Sequence, residues 1–125
     1  MRVSTVQPLC QPTKFQGRRV RALHPLSPDD GLLLATVIRG EFALNGFRNR
    51  DLRPLLFGDV ETIPEEAKRQ ASKITRLLRM LRGHGLIQKV PKTHRYILTK
   101  TGRATITAIQ TAKQTSTQKL SKLAV

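Results

Sequence analysis

The sequence has few of the residues that build catalytic, metal-binding or disulfide-stabilised sites. Its single cysteine, Cys10, excludes a disulfide within the chain. The three histidines, His24, His84 and His94, have no metal-ligand spacing with one another or with Cys10. The sequence contains no glycine-rich phosphate loop, no paired-carboxylate signature and no nucleophile with a base partner. We therefore expect no metal, no cofactor, no small-molecule ligand and no enzymatic activity.

Long apolar stretches and aromatic side chains are also scarce. Tryptophan is absent, and the aromatic residues are four phenylalanines and one tyrosine. No apolar run is long enough to cross a membrane, and the N-terminus lacks the apolar segment of a secretory signal. A segment that lies on an acidic membrane surface usually presents a bulky face with Trp or Phe, and none is found here. The sequence thus favours a cytoplasmic protein without a membrane partner.

Positive charge is what the sequence has in excess. The 125 residues include 23 Lys and Arg against 8 Asp and Glu, which gives a net charge of +15. Residues 64–103 carry eleven basic and two acidic residues, whereas residues 29–63 carry four basic and six acidic residues. A field of this strength attracts polyanions, so nucleic acid is the leading partner class. The uneven spread predicts one charged face, and a DNA partner would place the protein at the nucleoid.

Composition divides the chain into three parts. Residues 1–26 are punctuated by prolines and hold a cluster of arginines, which predicts a basic, irregular N-terminal segment. The composition of residues 27–113 predicts one folded domain. Residues 114–125 are rich in Thr, Ser and Lys, which predicts a polar C-terminal tail.

Helix and hairpin signals follow one another within residues 27–113. The stretch Ser27-Pro28-Asp29-Asp30 is typical of a helix start, and Thr62 to Glu65 has capping-box spacing. In chain order, the signals predict a helix from Ser27 to Gly40, a short link, helices over 49–57 and 64–83, a hairpin of strands 86–90 and 95–98, and a helix after Thr99. This order indicates a small α+β domain.

The helix over 64–83 has the clearest periodicity. Its apolar positions fall within an arc of about 80° and predict a core-facing stripe: Ala67, Ala71, Ile74, Leu78 and Leu81. The opposite face carries Lys68, Arg69, Ser72, Lys73, Arg76 and Arg79. Such a face is either an ordinary solvated surface or a surface that reads nucleic acid. We favour the second interpretation because the face has no acid beyond the first turn and because the helix follows another after a short link.

The predicted hairpin adds basic residues directly after this helix. Its tip region carries Lys89, Lys92, Thr93, His94 and Arg95. An ordinary exposed turn is the simple interpretation, since Lys is common there. A basic hairpin beside a basic helix nevertheless indicates a second contact, and we predict backbone or minor-groove contact for Lys92 and Arg95.

Three stretches of the chain resemble known proteins. The run Leu81-Arg82-Gly83-His84-Gly85-Leu86-Ile87, followed by the basic turn and by Tyr96-Ile97-Leu98-Thr99-Lys100-Thr101-Gly102-Arg103, resembles the end of a recognition helix and the wing in MarR-like winged helix-turn-helix regulators of bacteria. The segment Gly46 to Arg53 is similar to the start of the second helix in a group of uncharacterised bacterial proteins, in which the module tends to end a longer chain. The resemblance covers about residues 27–113.

The resemblance implies a fold and a function. The fold would be a small winged helix-turn-helix, with a three-helix core, a β-hairpin wing and a C-terminal helix. The function would be binding of double-stranded DNA by a protein that is transcription regulator-like or mobile-element-associated. Helix 64–83 would lie in the major groove and hairpin 88–96 would be the wing.

Two departures from the MarR-like pattern bear on the kind of regulator. The wing tip, Lys92 to Arg95, lacks the acid of the usual acidic–Arg pair, and the long flanking helices of dimeric regulators are expected to be absent or short. Neither departure favours a ligand-sensing dimeric repressor. A homodimer and a fragment of a longer chain are both compatible with the sequence. Two alternatives stay open: an RNA-binding basic protein, disfavoured by the few aromatics available for base stacking, and a winged helix that binds an acidic protein.

Overall fold

The computed structural model describes residues 7–58 and 63–123 and has an α+β fold. Its described part contains, in chain order, a 3-10 helix (Gln7–Cys10), β1 (Thr13–Phe15), β2 (Arg18–Val20), α1 (Pro28–Val37), a 3-10 helix (Gly40–Phe42), α2 (Asn49–Phe57), α3 (Pro64–Gly83), β3 (Ile87–Lys89), β4 (Tyr96–Leu98) and α4 (Lys100–Leu123). The strands form two separate antiparallel hairpins, β1–β2 and β3–β4. The predicted α+β class is confirmed, and so are the bounds of α2 and α3.

The starts of α1 and α3 show how well capping residues predict helix ends. The Ser27 hydroxyl accepts a hydrogen bond from the Asp30 amide at 3.2 Å, which confirms the predicted cap of α1. Helix α1 ends at Val37, three residues before the glycine predicted to end it. The predicted capping box of α3 is wrong, because Ile63 is the N-cap residue and its side chain has no group that can accept a hydrogen bond. The predicted box began at residue 62, which lies outside the described residues.

The hydrophobic core gathers side chains from all four helices. Its buried members include Leu33, Leu34 and Val37 of α1, Leu52 of α2, Ile74, Leu78 and Leu81 of α3, and Ile106 and Ile109 of α4. The C-terminal half of the predicted α3 stripe is therefore confirmed, while its two alanines are only half-buried. Met80 is buried as well, although it lies on the other side of α3. A second layer must therefore cover that side.

The second layer is the N-terminal segment, for which the sequence predicts an irregular structure. Residues 13–20 instead form the β1–β2 hairpin, whose two-residue loop has positive φ at Gln16 (52°) and Gly17 (77°). The hairpin packs where α3 lacks a side chain: a Cβ on Gly83 would come within 2.7 Å of Val20 Cγ2 and 3.3 Å of Phe15 Cβ. Three-residue strands carry no measurable alternation of polar and apolar residues, so the sequence offered little signal for them.

Several contacts hold this hairpin on α3. The Phe15 ring lies under two guanidinium groups, with Arg82 at 4.5 Å and Arg79 at 5.4 Å from the ring centroid. His84 Nε2 donates a hydrogen bond to the Arg21 carbonyl oxygen at 2.9 Å. Such cation–π contacts are each worth about 0.5–1 kcal/mol at exposed sites. Together they explain why the segment is ordered against α3.

The C-terminal part of the chain is more helical than expected. Helix α4 has 24 residues and continues to Leu123, through the region predicted as a polar tail. The expectation of absent or short flanking helices is wrong for this side of the domain. No glycine or proline follows Gly102, so nothing in the backbone chemistry ends the helix earlier.

The start of α4 explains the spacing between Thr99 and Gly102. The Thr99 hydroxyl accepts a hydrogen bond from the Gly102 amide at 2.8 Å and donates one to the Gly85 carbonyl at 2.7 Å. A Cβ at position 102 would overlap the carbonyl oxygen of Leu86. A threonine cap and a glycine three residues later are therefore needed to seat α4 on the strand that follows α3.

An ion pair between Arg21 and the buried carboxylate of Asp30 ties the N-terminal segment to α1. The Arg21 guanidinium donates two hydrogen bonds to the Asp30 carboxylate, at 2.7 and 2.9 Å, and the His24 amide donates a third at 2.8 Å. The Asp30 side chain is 4% exposed, whereas that of Arg21 is 47% exposed. Burial by itself raises the pKa of Asp30, but the hydrogen bonds from Arg21 and His24, with the Arg21 charge, hold this pKa below its usual value.

We expect Asp30→Asn to lower stability at neutral pH by about 1–3 kcal/mol, because the Arg21 guanidinium and the His24 amide lose the charged acceptor to which they donate. The folded-state pKa of Asp30 is lowered, so its contribution is fully present above the unfolded-chain pKa, about 3.9, and is lost as the pH falls through the folded pKa. The variant should therefore lose less stability in acid than the parent. The measurement is denaturant unfolding at several pH values.

The matched control is Asp29→Asn, which removes the same charge from the neighbouring, exposed position in the first turn of α1. It should keep almost the parent stability and the parent acid dependence. Equal losses of stability for the two variants at neutral pH would contradict the role of the Arg21–Asp30 pair.

Candidate nucleic-acid interface

The basic face predicted on α3 is largely open to solvent. Five of its six predicted members are exposed: Lys68, Arg69, Ser72, Lys73 and Arg76. Arg76 lies at about 180° from the centre of the apolar stripe at 100° per residue, so it marks the middle of the outer face. Because Ile74 and Leu78 hold the opposite side in the core, the rotation of α3 about its axis is set by packing.

Most of the positive charge on this face has no acidic partner. Arg69 is the exception, because it forms an exposed ion pair at 3.2 Å with Glu66 of the first turn. Lys73 Nζ lies 5.7 Å from the centroid of the Phe57 ring. Within the described ranges, no carboxylate forms an ion pair with Lys68, Lys73 or Arg76. Their charge is therefore available to an anionic ligand.

Arg79 differs from the other predicted members of the face. It is half-buried, and its guanidinium donates a hydrogen bond to the Phe15 carbonyl at 2.9 Å. Arg79 is therefore not part of the open face, because the β1–β2 hairpin covers the last turns of α3. The open part of the face thus extends from Lys68 to Arg76.

The β3–β4 hairpin presents some of its predicted residues and uses others to build its turn. Lys89, Lys92 and His94 are exposed. Thr93 is half-buried, and its hydroxyl donates to the Val90 carbonyl at 2.8 Å and accepts from the Arg95 amide at 3.1 Å. The Arg95 guanidinium lies 3.5 Å from the Asn45 carbonyl oxygen. Thr93 therefore shapes the turn, and Arg95 is held against the loop that precedes α2.

The tip residue Lys92 has an uncommon backbone conformation. Its φ is 62°, in the left-handed region that favours glycine. A side chain there costs roughly 1–2 kcal/mol relative to the ordinary conformation. The turn thus keeps a lysine at a position where glycine would be more stable, and it holds this lysine at the tip.

The structure adds basic residues that sequence reasoning missed at the start of α2. Arg48 and Arg50 line a depression between α2, α3 and β4, together with His94 and Tyr96. The side chain of Asn49 fastens this end of α2 to α3 by donating to the Ala71 carbonyl at 2.9 Å and to the Thr75 hydroxyl at 3.1 Å. Two arginines at the predicted start of a helix were the available signal, but nothing in the sequence placed them beside the hairpin.

The β3–β4 hairpin is also tied to the link before α2. The Phe47 amide donates to the Tyr96 carbonyl at 2.9 Å, and the Tyr96 amide donates to the Phe47 carbonyl at 2.8 Å. Gly46 has φ 73°, and a Cβ there would overlap the Tyr96 carbonyl oxygen. This reciprocal bridge holds the hairpin beside the link before α2, and Asn49 holds the start of α2 on α3, so the three elements are joined by direct hydrogen bonds.

Comparison of the chain with protein-family models, with curated proteins and with solved structures gives no match in any of the three. None of the helices in the described ranges is both long and apolar enough to cross a membrane. Residues 7–58 and 63–123 also contain no group of three or more His, Cys, Asp or Glu side chains arranged to hold a metal ion. What the chain does must therefore be argued from its own surface.

Proposed function

We propose that this protein binds double-stranded DNA as a winged helix-turn-helix module, with α3 in the major groove and the β3–β4 hairpin as the wing. The observation that carries the proposal is the open face of α3, on which Lys68, Lys73 and Arg76 have no acidic partner in the described ranges. Exposed cations without partners are the electrostatic footprint of a surface that meets phosphates.

The order and pairing of the elements support the winged-helix part of the proposal. Three helices precede the β3–β4 hairpin, and the Phe47–Tyr96 bridge pairs one residue of the link before α2 with this hairpin. A helix with its side chains is about 10–12 Å across, and the major groove is about 12 Å wide, so α3 fits the groove. The resemblance to MarR-like regulators agrees with this arrangement, and a regulator-like or mobile-element-associated role is part of the proposal.

Duplex DNA suits the surface better than single-stranded RNA does. Proteins that bind single strands stack bases on exposed aromatic rings. In the described part of the chain, Phe47 is buried, Phe42, Phe57 and Tyr96 are half-buried, and Phe15 lies against Arg79 and Arg82. None of these rings is open for a base to stack on it, whereas the charged face of the α3 helix is open.

We expect DNA binding to weaken steeply with salt. The cations expected to lead binding, with Arg76 reaching bases and the others reaching phosphates, are Lys68, Arg69, Lys73, Arg76, Lys92 and Arg95. Neutralising five or six phosphates gives a slope near −5 in a plot of log affinity against log salt, at about 0.9 per phosphate. Fluorescence anisotropy of a labelled duplex, titrated at salt concentrations from roughly 50 to 200 mM, measures this slope.

A single-stranded RNA of equal length is the comparison ligand in the same titrations. The duplex should bind more tightly at every salt concentration. A flat salt response of duplex binding would remove the DNA proposal, and tighter binding of the RNA strand would favour the RNA alternative instead.

A further inference from the structure

A basic groove lies between β2 and α3, on the side of α3 that the N-terminal hairpin borders. Its volume is about 440 Å³, and besides Arg21 four of the residues that line it are cationic: Arg19, Lys73, Arg76 and Arg79. Among the residues that the structure describes, no acidic side chain lines the groove. In the described ranges, none of the four cations forms an ion pair with a carboxylate. Arg21 also borders the groove, but Asp30 neutralises it.

One member of this group is held in place before any ligand arrives. Arg79 donates to the Phe15 carbonyl at 2.9 Å and lies over the Phe15 ring. A carbonyl oxygen orients the guanidinium without cancelling its charge. A planar guanidinium that is already oriented loses less freedom when it binds an oxyanion, so Arg79 is prepared for anion binding. Cations that line one groove without a counter-charge repel one another, and an anion in the groove relieves this repulsion.

The groove runs along one flank of the open face of α3. Lys73 and Arg76 belong to both the face and the groove, whereas Thr75 borders the depression at Arg48 and Arg50. Thr75 and Lys73 are two residues apart, hence about 160° apart around the helix. Both flanks of α3 therefore carry basic depressions. A helix in a major groove has one phosphate backbone on each side, and each flank would face one of them.

We propose that the groove between β2 and α3 binds a backbone phosphate of duplex DNA, which makes the N-terminal β1–β2 hairpin part of the DNA-binding surface. The proposal rests on the proposed function of α3. Arg19 supplies a cation from the hairpin, Lys73 and Arg79 supply cations from α3, and Arg76 lies at the boundary between the groove and the open face. The hairpin that covers the end of α3 thus also extends the area that contacts DNA.

The test compares two adjacent arginines of β2. Arg19→Ala removes a cation that lines the groove, and Arg18→Ala removes the same charge from an exposed neighbour that does not line it. Duplex affinity is measured for both variants and the parent across salt. We expect Arg19→Ala to weaken binding roughly three- to tenfold near 0.1 M salt and to reduce the salt slope by about one unit. Arg18→Ala should keep the parent slope.

Two further measurements make the result unambiguous. Arg19→Lys keeps the charge and should restore the parent slope, and equal melting temperatures should show that all variants are folded. Equal losses for Arg18→Ala and Arg19→Ala, or no loss for Arg19→Ala, would overturn the groove proposal while the parent still binds DNA. Failure of the parent itself to bind duplex DNA would instead refute the proposed function.

Discussion

Replacing Leu78 with alanine is expected to lower the free energy of unfolding by about 2–5 kcal/mol. The Leu78 side chain is 2% exposed and belongs to the core stripe of α3. Truncating it leaves a cavity that the packed helices cannot fill by moving together. Since small domains have only about 5–15 kcal/mol of stability, the loss is a large part of the total. Denaturant unfolding followed by circular dichroism measures it.

Arg76→Ala is the matched control, because it changes the same helix two residues away on the exposed face. It should unfold at nearly the parent denaturant concentration, since surface substitutions usually change stability by less than about 0.5 kcal/mol. If Leu78→Ala were as stable as the parent while Arg76→Ala unfolded, the assignment of Leu78 to the core face of α3 and of Arg76 to its exposed face would be wrong.

Arg76→Ala is expected to have the largest effect on DNA binding. Its position in the middle of the outer face lets a long side chain reach base edges, so the affinity for the preferred duplex should fall by about 1–3 kcal/mol. Sequence preference should relax at one base position. The preferred duplex is first selected from a random pool, and the variant is then titrated with this duplex and with a scrambled one. Equal losses on both duplexes would mean that Arg76 contacts the phosphate backbone instead of bases.

Lys92 provides the contrasting case within the same titrations. As a point charge at the hairpin tip, it should contact phosphate, so Lys92→Ala should weaken all duplexes nearly equally and reduce the salt slope by about one unit. Lys92→Gly removes the same charge but suits the φ of 62°. If charge is the cause, the two variants should lose equal affinity although the glycine variant has the more relaxed turn. A loss for alanine alone would point to turn geometry.

Local signals in the sequence determined the helices and the side of α3 that faces the core. Caps, glycines and apolar periodicity act between residues a few positions apart, and they predicted α2, α3, the cap of α1 by Ser27 and the cap of α4 by Thr99. The same periodicity assigned Leu78 to the core and Arg76 to the surface. Net charge and its concentration over residues 64–103 also needed no structure, because they are properties of composition.

The tertiary structure alone decided how the surface around α3 is divided. Arg79 and Phe15 are 64 positions apart, and a hydrogen bond over that separation leaves no periodic trace in either segment. The β1–β2 hairpin can pack on α3 only because Gly83 has no side chain, since a Cβ there would meet Val20 and Phe15. The sequence of either segment alone does not show that these surfaces fit together. For this reason the sequence did not predict the contact between Arg79 and Phe15, and it predicted an irregular N-terminal segment. Packing between distant segments determines which cations stay open and which line the groove beside β2.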